Sequence, residues 1–299
     1  MANELAKTQQ RGISAYLNNP EVKQNVISVV GDKESQKFIS SIVSAVQTNP
    51  ALAECSNKSI LSVALLGHSL NLPQSPQLGI FYFVPYNNSK KIKDPNTGRT
   101  ETITVKEATF QLSWKGYIQL AMRSGQYKQI NATEVREGEL ISYNPITEEI
   151  DLRAITDFND RMNRPVIGYY AFFTLTNGFR KELYWSREQM ESHASRYSKA
   201  YKSDKKYNSS RSFWSTDFDA MAKKTMIRQL ISKWGIMSVD MQTAYESDMA
   251  MIDDNGNPDY VDNKPEVETA TDVYLEEQPV ETEPVEGEIL DDDGNPLFA

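Results

Sequence analysis

Val166-Ile-Gly-Tyr-Tyr-Ala-Phe-Phe-Thr-Leu-Thr-Asn-Gly-Phe-Arg-Lys-Glu-Leu-Tyr-Trp185 is the stretch that decides the fold. β-Branched and aromatic residues crowd both sides of Asn177-Gly178, a pair that readily takes the positive φ values of a two-residue hairpin turn. Residues 166–176 and 179–185 are therefore predicted to be antiparallel strands. Elsewhere the sequence shows no alternation of strand and helix of the kind that builds a parallel sheet.

A second hairpin is predicted upstream. Residues 78–86 are strongly β-forming, 94–98 carry turn chemistry (Asp-Pro-Asn-Thr-Gly), and 100–113 alternate well enough to return. On the returning strand Thr109, Gln111 and Ser113 share one face, opposite Phe110 and Leu112. That polar face is a candidate groove lining, with an ordinary solvent face as the alternative. Lys90, Lys91, Lys93 and Arg99 crowd the tip, where they are placed to reach phosphate or a neighbouring subunit. Residues 114–124 read as a short helix carrying Lys115 and Arg123 and ended by Gly125; 127–136 and 140–143 read as strands. Apolar residues at helical spacing predict helices over 20–30, 32–47 and 57–72. The expected fold is α+β: an antiparallel, hairpin-based sheet crossed by helices. A helical region spans 1–75, a core 76–245, and an acidic tail, predicted to be disordered, 246–299.

The first hairpin leads into a basic, aromatic stretch. Residues 180–233 hold 13 Lys or Arg against 6 Asp or Glu, interleaved with Tyr184, Trp185, Tyr197, Tyr201, Tyr207, Phe213 and Trp214. Cations meet phosphates and flat rings stack on unpaired bases, so this composition points to single-stranded nucleic acid. Residues 195–214 show no apolar period and are predicted to be a mobile loop bearing Lys199, Lys202, Lys205, Lys206 and Arg211. From Ser215 a helix is predicted, closed by Gly235, with Phe218, Ala222, Met226 and Leu230 as its apolar stripe. Lys224 and Arg228, four apart, share another side, where they can present two charges to one backbone. The competing reading is a solvated helix face beside a lysine-rich loop.

The net charge of −9 hides an asymmetry. Residues 246–299 carry 18 acids and one lysine, a net of −17, and the rest of the chain is +8. A basic body with an acidic tail is the pattern of a nucleic-acid binder with an interacting tail. Cys55 is the only cysteine, which excludes an intramolecular disulfide. No apolar run of about 18 residues appears, and a cytosolic protein is expected. There is no P-loop motif, and His68 and His193 form no zinc pattern. Glu134, Glu137, Asp151, Asp157 and Asp160 are the carboxylates available to a Mg²⁺ nuclease, but they sit in no motif. In the tail, 252–258 resembles the start of a calcium loop, yet the twelfth position counted from Asp253 is Lys264, where a bidentate Glu is required.

Several ordered motifs resemble the RecT family of phage and prophage recombinases. They are Trp114-Lys-Gly-Tyr-Ile-Gln-Leu-Ala-Met-Arg-Ser-Gly-Gln126 with Val135-Arg-Glu-Gly138, and Met221-Ala-Lys-Lys-Thr-Met-Ile-Arg-Gln-Leu230; Asn49 to Cys55, 66–72 and 79–85 fit the same order. The resemblance covers about residues 45 to 240. It implies an ATP-independent protein that binds single-stranded DNA and anneals complementary strands as a ring or helical filament. It also implies a fold related to that of the annealing protein Rad52, no covalent catalysis, and no cofactor, with Mg²⁺ at most a modulator. The implied partners are single-stranded DNA and the annealed duplex, other copies of the chain, and a 5′-to-3′ exonuclease. Carried over from the motifs, Lys115, Arg123, Arg136, Lys223, Lys224 and Arg228 are expected DNA contacts; Arg211, Lys205 and Lys206 join them on composition. Thr109, Gln111 and Ser113 are expected to line the groove, and Trp214 and Tyr207 to stack, Trp214 having a core position as its alternative. The end of the tail, 291–298, resembles the acidic tips of bacterial single-strand-binding proteins, which suggests such a protein, or a partner of one, as its target. The rival functions are a nucleic-acid-coating structural oligomer without annealing activity and a Mg²⁺-dependent nuclease.

Overall fold

The computed structural model describes residues 12–93, 100–252 and 258–260. The chain divides into two units, 1–264 and 265–299, and every described residue lies in the first. Four helices open it: α1 (Ile13–Leu17), α2 (Pro20–Val30), α3 (Asp32–Thr48) and α4 (Asn57–Ser69). Their starts follow from local chemistry. The Asn19 side chain accepts from the Glu21 amide with Pro20 at the first helical position, and the Ser56 hydroxyl accepts from the Ser59 amide.

The upstream hairpin is longer than the sequence suggests. β1 (Phe81–Lys93) and β2 (Thr100–Leu112) pair from Phe81↔Leu112 to Lys93↔Thr100. The side chains at its tip, Lys90, Lys91, Lys93 and Arg99, lie outside the described residues. Then come α5 (Trp114–Arg123), β3 (Tyr127–Arg136), a small hairpin of β4 (Leu140–Asn144) and β5 (Glu149–Leu152), and α6 (Phe158–Asn163). The hairpin around Asn177-Gly178 forms, but its turn is longer than two residues: the first strand ends at Leu175, the second begins at Arg180, and of the pair Gly178 takes a positive φ, 91°. Its strands β6 (Val166–Leu175) and β7 (Arg180–Ser186) join β3 in an antiparallel sheet ordered β3-β6-β7.

α7 (Arg187–Tyr197), α8 (Lys199–Tyr207), the single turn α9 (Phe213–Thr216), α10 (Phe218–Trp234) and α11 (Val239–Ser247) complete the helices. α10 crosses that sheet. Its buried Ala222, Met226, Ile227, Leu230 and Ile231 join Tyr169, Ala171, Phe173 and Leu183 in one core, which also holds Leu17, Ile42 and Ile60 from the first helices. A fully buried side chain of this kind contributes about 1.5 to 3 kcal/mol.

Two expectations need correction. Residues 195–214 are not a loop; they hold the end of α7, all of α8 and the start of α9. Nor does the tail begin at 246. Ser247 and Asp248 are buried, and β8 (Ala250–Ile252) adds to the edge of β2 and pairs in turn with β9 (Pro258–Tyr260). Composition misplaces this boundary because it averages the buried Asp248 with the acids that follow.

α5 touches the β1–β2 hairpin so closely that only glycine fits at 116. A Cβ there would lie 2.4 Å from the Ile80 carbonyl oxygen and 2.6 Å from Leu112 Cδ1. The first is backbone and cannot swing away. Gly116→Ala is expected to destabilise the fold by about 2 to 3 kcal/mol, seen as a lower urea midpoint at unchanged slope.

Candidate nucleic-acid interface

A buried carboxylate shapes the basic surface. Ser198 caps α8 by accepting from the Tyr201 amide, and Asn208, at φ 49, closes it in the left-handed region that Asn tolerates. Asp204, 4% exposed, points inward and gathers the next turn of chain. It accepts from the Ser209 hydroxyl at 2.7 Å, the Arg211 and Ser212 amides at 3.0 and 2.7 Å, and the Ser215 hydroxyl at 2.7 Å. The Ser209 hydroxyl, with those of Ser215 and Ser212, holds this carboxyl well below the usual range. Polar bonds therefore order a segment that has no hydrophobic period to announce it.

With Asp204 turned in, the outer side of α8 is cationic. Lys199, Lys202, Lys205, Lys206 and Arg211 are exposed, and among the described residues none of them makes an ion pair. Lys199, Lys202 and Lys206 recur at three and four residues, which sets them along one stripe. Exposed rings flank it: Tyr207 is 68% exposed and Phe213 48%. Trp214, by contrast, is core, 5.2 Å from the Phe218 ring.

The cations of α10 are placed differently. Lys224 and Arg228 do share one side of the helix, but that side is turned onto Asp248. Asp248, fully buried, accepts from Lys224 Nζ at 2.7 Å and the Leu112 amide at 2.9 Å through Oδ1. Its Oδ2 accepts from Arg228 Nη1 and the Tyr117 hydroxyl, both at 3.0 Å. In the DNA-free chain both charges are thus held by a carboxylate from beyond the supposed core. Burial pulls the Lys224 ammonium below the ordinary lysine range, with Asp248 opposing. Burial also raises the Tyr117 hydroxyl far above its usual value, and the Asp248 charge adds to this. Arg228 keeps one edge in solvent and lies 4.2 Å from the Tyr245 ring.

The other expected contacts are scattered. Lys223 pairs with Glu134 at 2.7 Å and stands 5.1 Å over the Trp114 ring; Lys115, exposed, approaches the same ring. Burial alone would raise the Glu134 carboxyl, but Lys223 outweighs it and holds it low. Arg123 donates to the Leu70 and Asn71 carbonyls at the end of α4 and pairs with Asp240. Arg136 donates to the Met162 and Arg164 carbonyls. Thr109 is buried with its hydroxyl on the Val84 carbonyl, and Ser113 is buried as the N-cap of α5; only Gln111 is half-exposed. Both faces of β2 are covered at Thr109 and Phe110, so the groove expected there is not an open polar face. Of the carboxylates available to a nuclease, Glu134 and Asp160 are committed to Lys223 and Arg164, and Asp157 caps α6.

His193 is wedged between the Trp185 ring at 5.2 Å and the Tyr197 ring at 4.6 Å. Burial, with the charges of Arg196 and Arg228, brings it down to about 4. The unfolded chain therefore binds this proton first as pH falls. The neutral ring's contribution is complete above the unfolded value near 6.5 and is lost as pH falls to about 4, a change of about 3 kcal/mol. Urea titrations between pH 4 and 7 should show that slope, and His193→Phe should flatten it.

A profile of the RecT family matches residues 36–268. The chain is 36% identical over 291 residues to the uncharacterized protein YqaK of Bacillus subtilis (strain 168), covering 95% of this chain and 90% of that protein. It is 27% identical over 244 residues to protein RecT of Escherichia coli (strain K12), covering 81% and 82% respectively. The family match runs past α11 and includes Asp248.

Proposed function

Because the chain belongs to the RecT family, a family of DNA-binding single-strand annealing proteins of recombination, we propose that it grips single-stranded DNA without ATP and pairs it with a complementary strand, acting as an oligomer. The observation that carries this reading is the exposed cation stripe of α8, which makes no ion pair among the described residues, with Tyr207 and Phe213 beside it. Backbone contacts of this kind hold any sequence and leave base edges free for a second strand. Lys205, Lys206 and Arg211 come first among the contacts, with Lys199 and Lys202 beside them. Lys115 is the next open cation, and Lys223, Lys224 and Arg228 act only where their acidic partners yield. No covalent step or cofactor is invoked. A 5′-to-3′ exonuclease that exposes the strand is the fitting partner, and the bacterial cytoplasm is the fitting place.

The test is annealing of two complementary fluorescent oligonucleotides, one preincubated with protein, without ATP and with a non-complementary control. Faster pairing that requires complementarity supports the proposal. Binding without acceleration points to a coating oligomer, and a strand shortened on addition of Mg²⁺ points to a nuclease.

A further inference from the structure

The Asp248 carboxylate occupies a pocket with the chemistry of an oxyanion site. Four donors from three elements converge on its two oxygens: the Leu112 amide at the end of β2, the Tyr117 hydroxyl of α5, and Lys224 and Arg228 of α10. Two cations face one carboxylate, so the pocket keeps an excess positive charge; among the described residues no second acid pairs with either. A phosphodiester offers the same two anionic oxygens to the same donors. The edge of the pocket at Arg228 is open to solvent.

The backbone that follows the carboxylate is strained and reaches β2 through a short strand. Directly after Asp248, Met249 sits at φ 67, a left-handed conformation that costs a long side chain about 1 to 3 kcal/mol. The Met249 amide bonds the Phe110 carbonyl, and three-residue β8 joins β2 at the register pair Phe110↔Ala250. β2's other edge is paired with β1 along its whole length.

We propose that these four donors form a phosphodiester site for the bound strand, occupied in the DNA-free protein by Asp248 as a carboxylate stand-in, and that strand binding displaces residues 248–252. The inference rests on the single-strand-binding reading and deepens it. It makes α10 a second grip, closed until DNA competes for it. Against it stands a permanent ion-pair cluster that never opens.

Hydrogen exchange of the full chain, with and without saturating oligothymidine, separates the two. If the pocket changes occupant, the Met249 amide, which loses its acceptor, exchanges faster in the complex, while amides of α10 do not. If the cluster is permanent, the Met249 amide stays as protected as before, and the inference is overturned although binding itself is intact. Asp248→Asn, which keeps the acceptor oxygen and removes the competing charge, is expected to bind oligothymidine about tenfold more tightly. A folded variant with unchanged or weaker affinity overturns the inference; if the variant does not fold, the wild-type exchange result decides alone. Failure of the wild type to bind oligothymidine at all would instead overturn the annealing reading, and this site with it.

Discussion

Alanine at Lys205, Lys206 and Arg211 together is expected to weaken oligothymidine binding about 100-fold at physiological salt and to reduce the slope of log K against log salt by about two units. The slope follows from counterion release, about 0.7 per phosphate on a single strand, for three contacts. The affinity follows from about 1 kcal/mol for each charge-assisted contact kept partly in water. Thermal stability should change little, since all three side chains are exposed and make no ion pair among the described residues, although Lys205 and Lys206 rest over the Tyr201 and Tyr207 rings. Fluorescence anisotropy across a salt series checks both numbers. A merely solvated surface would leave the slope where it was.

The second large effect concerns stability. Asp248→Ala is expected to cost about 3 to 5 kcal/mol, the usual penalty for leaving buried charge without its partner. Two cations, the Tyr117 hydroxyl and the Leu112 amide lose their acceptor at once. Lys224→Met, which leaves the Arg228 pair intact and fills the space with apolar atoms, should cost far less. The urea midpoints of the two variants should therefore differ clearly. Near-equal midpoints would mean that the cluster is hydrated and contributes little.

The same carboxylate decides where the acidic tail can be cut. A deletion of 246–299 removes Asp248 and confounds tail loss with core damage. A deletion from residue 262 leaves the described body whole. That shorter deletion is expected to tighten DNA binding at low salt if the tail competes for the cations from a tethered, high effective concentration. Unchanged affinity would remove the competition idea.

Hydrophobic periodicity exposed most of the fold because it reports burial directly. The Asn177-Gly178 hairpin, α2 through α4, and the α10 stripe of Ala222, Met226 and Leu230 were legible for that reason. What escaped was order built from polar bonds. Around Asp204 the sequence shows serines, lysines and tyrosines, and only the fold shows that one carboxylate collects four donors there. Lys224 and Arg228 were legible as neighbours, since a spacing of four fixes that. Their partner was not, because it lies 20 residues beyond Arg228 in what composition marks as tail. Thr109 and Ser113 misled for a related reason: alternation assumes one wet face, whereas β2 is covered on both.

Asp248 also sets a clock on the birth of the molecule. A chain is made from its N-terminus and begins folding as it emerges, so β2, α5 and α10 all leave the ribosome before the acid that pairs with the two cations at their junction. Until then α10 carries two charges it cannot bury. The nascent protein should stay loosely packed at that seam, and docking of α10 should wait for the last stretch of the body to arrive.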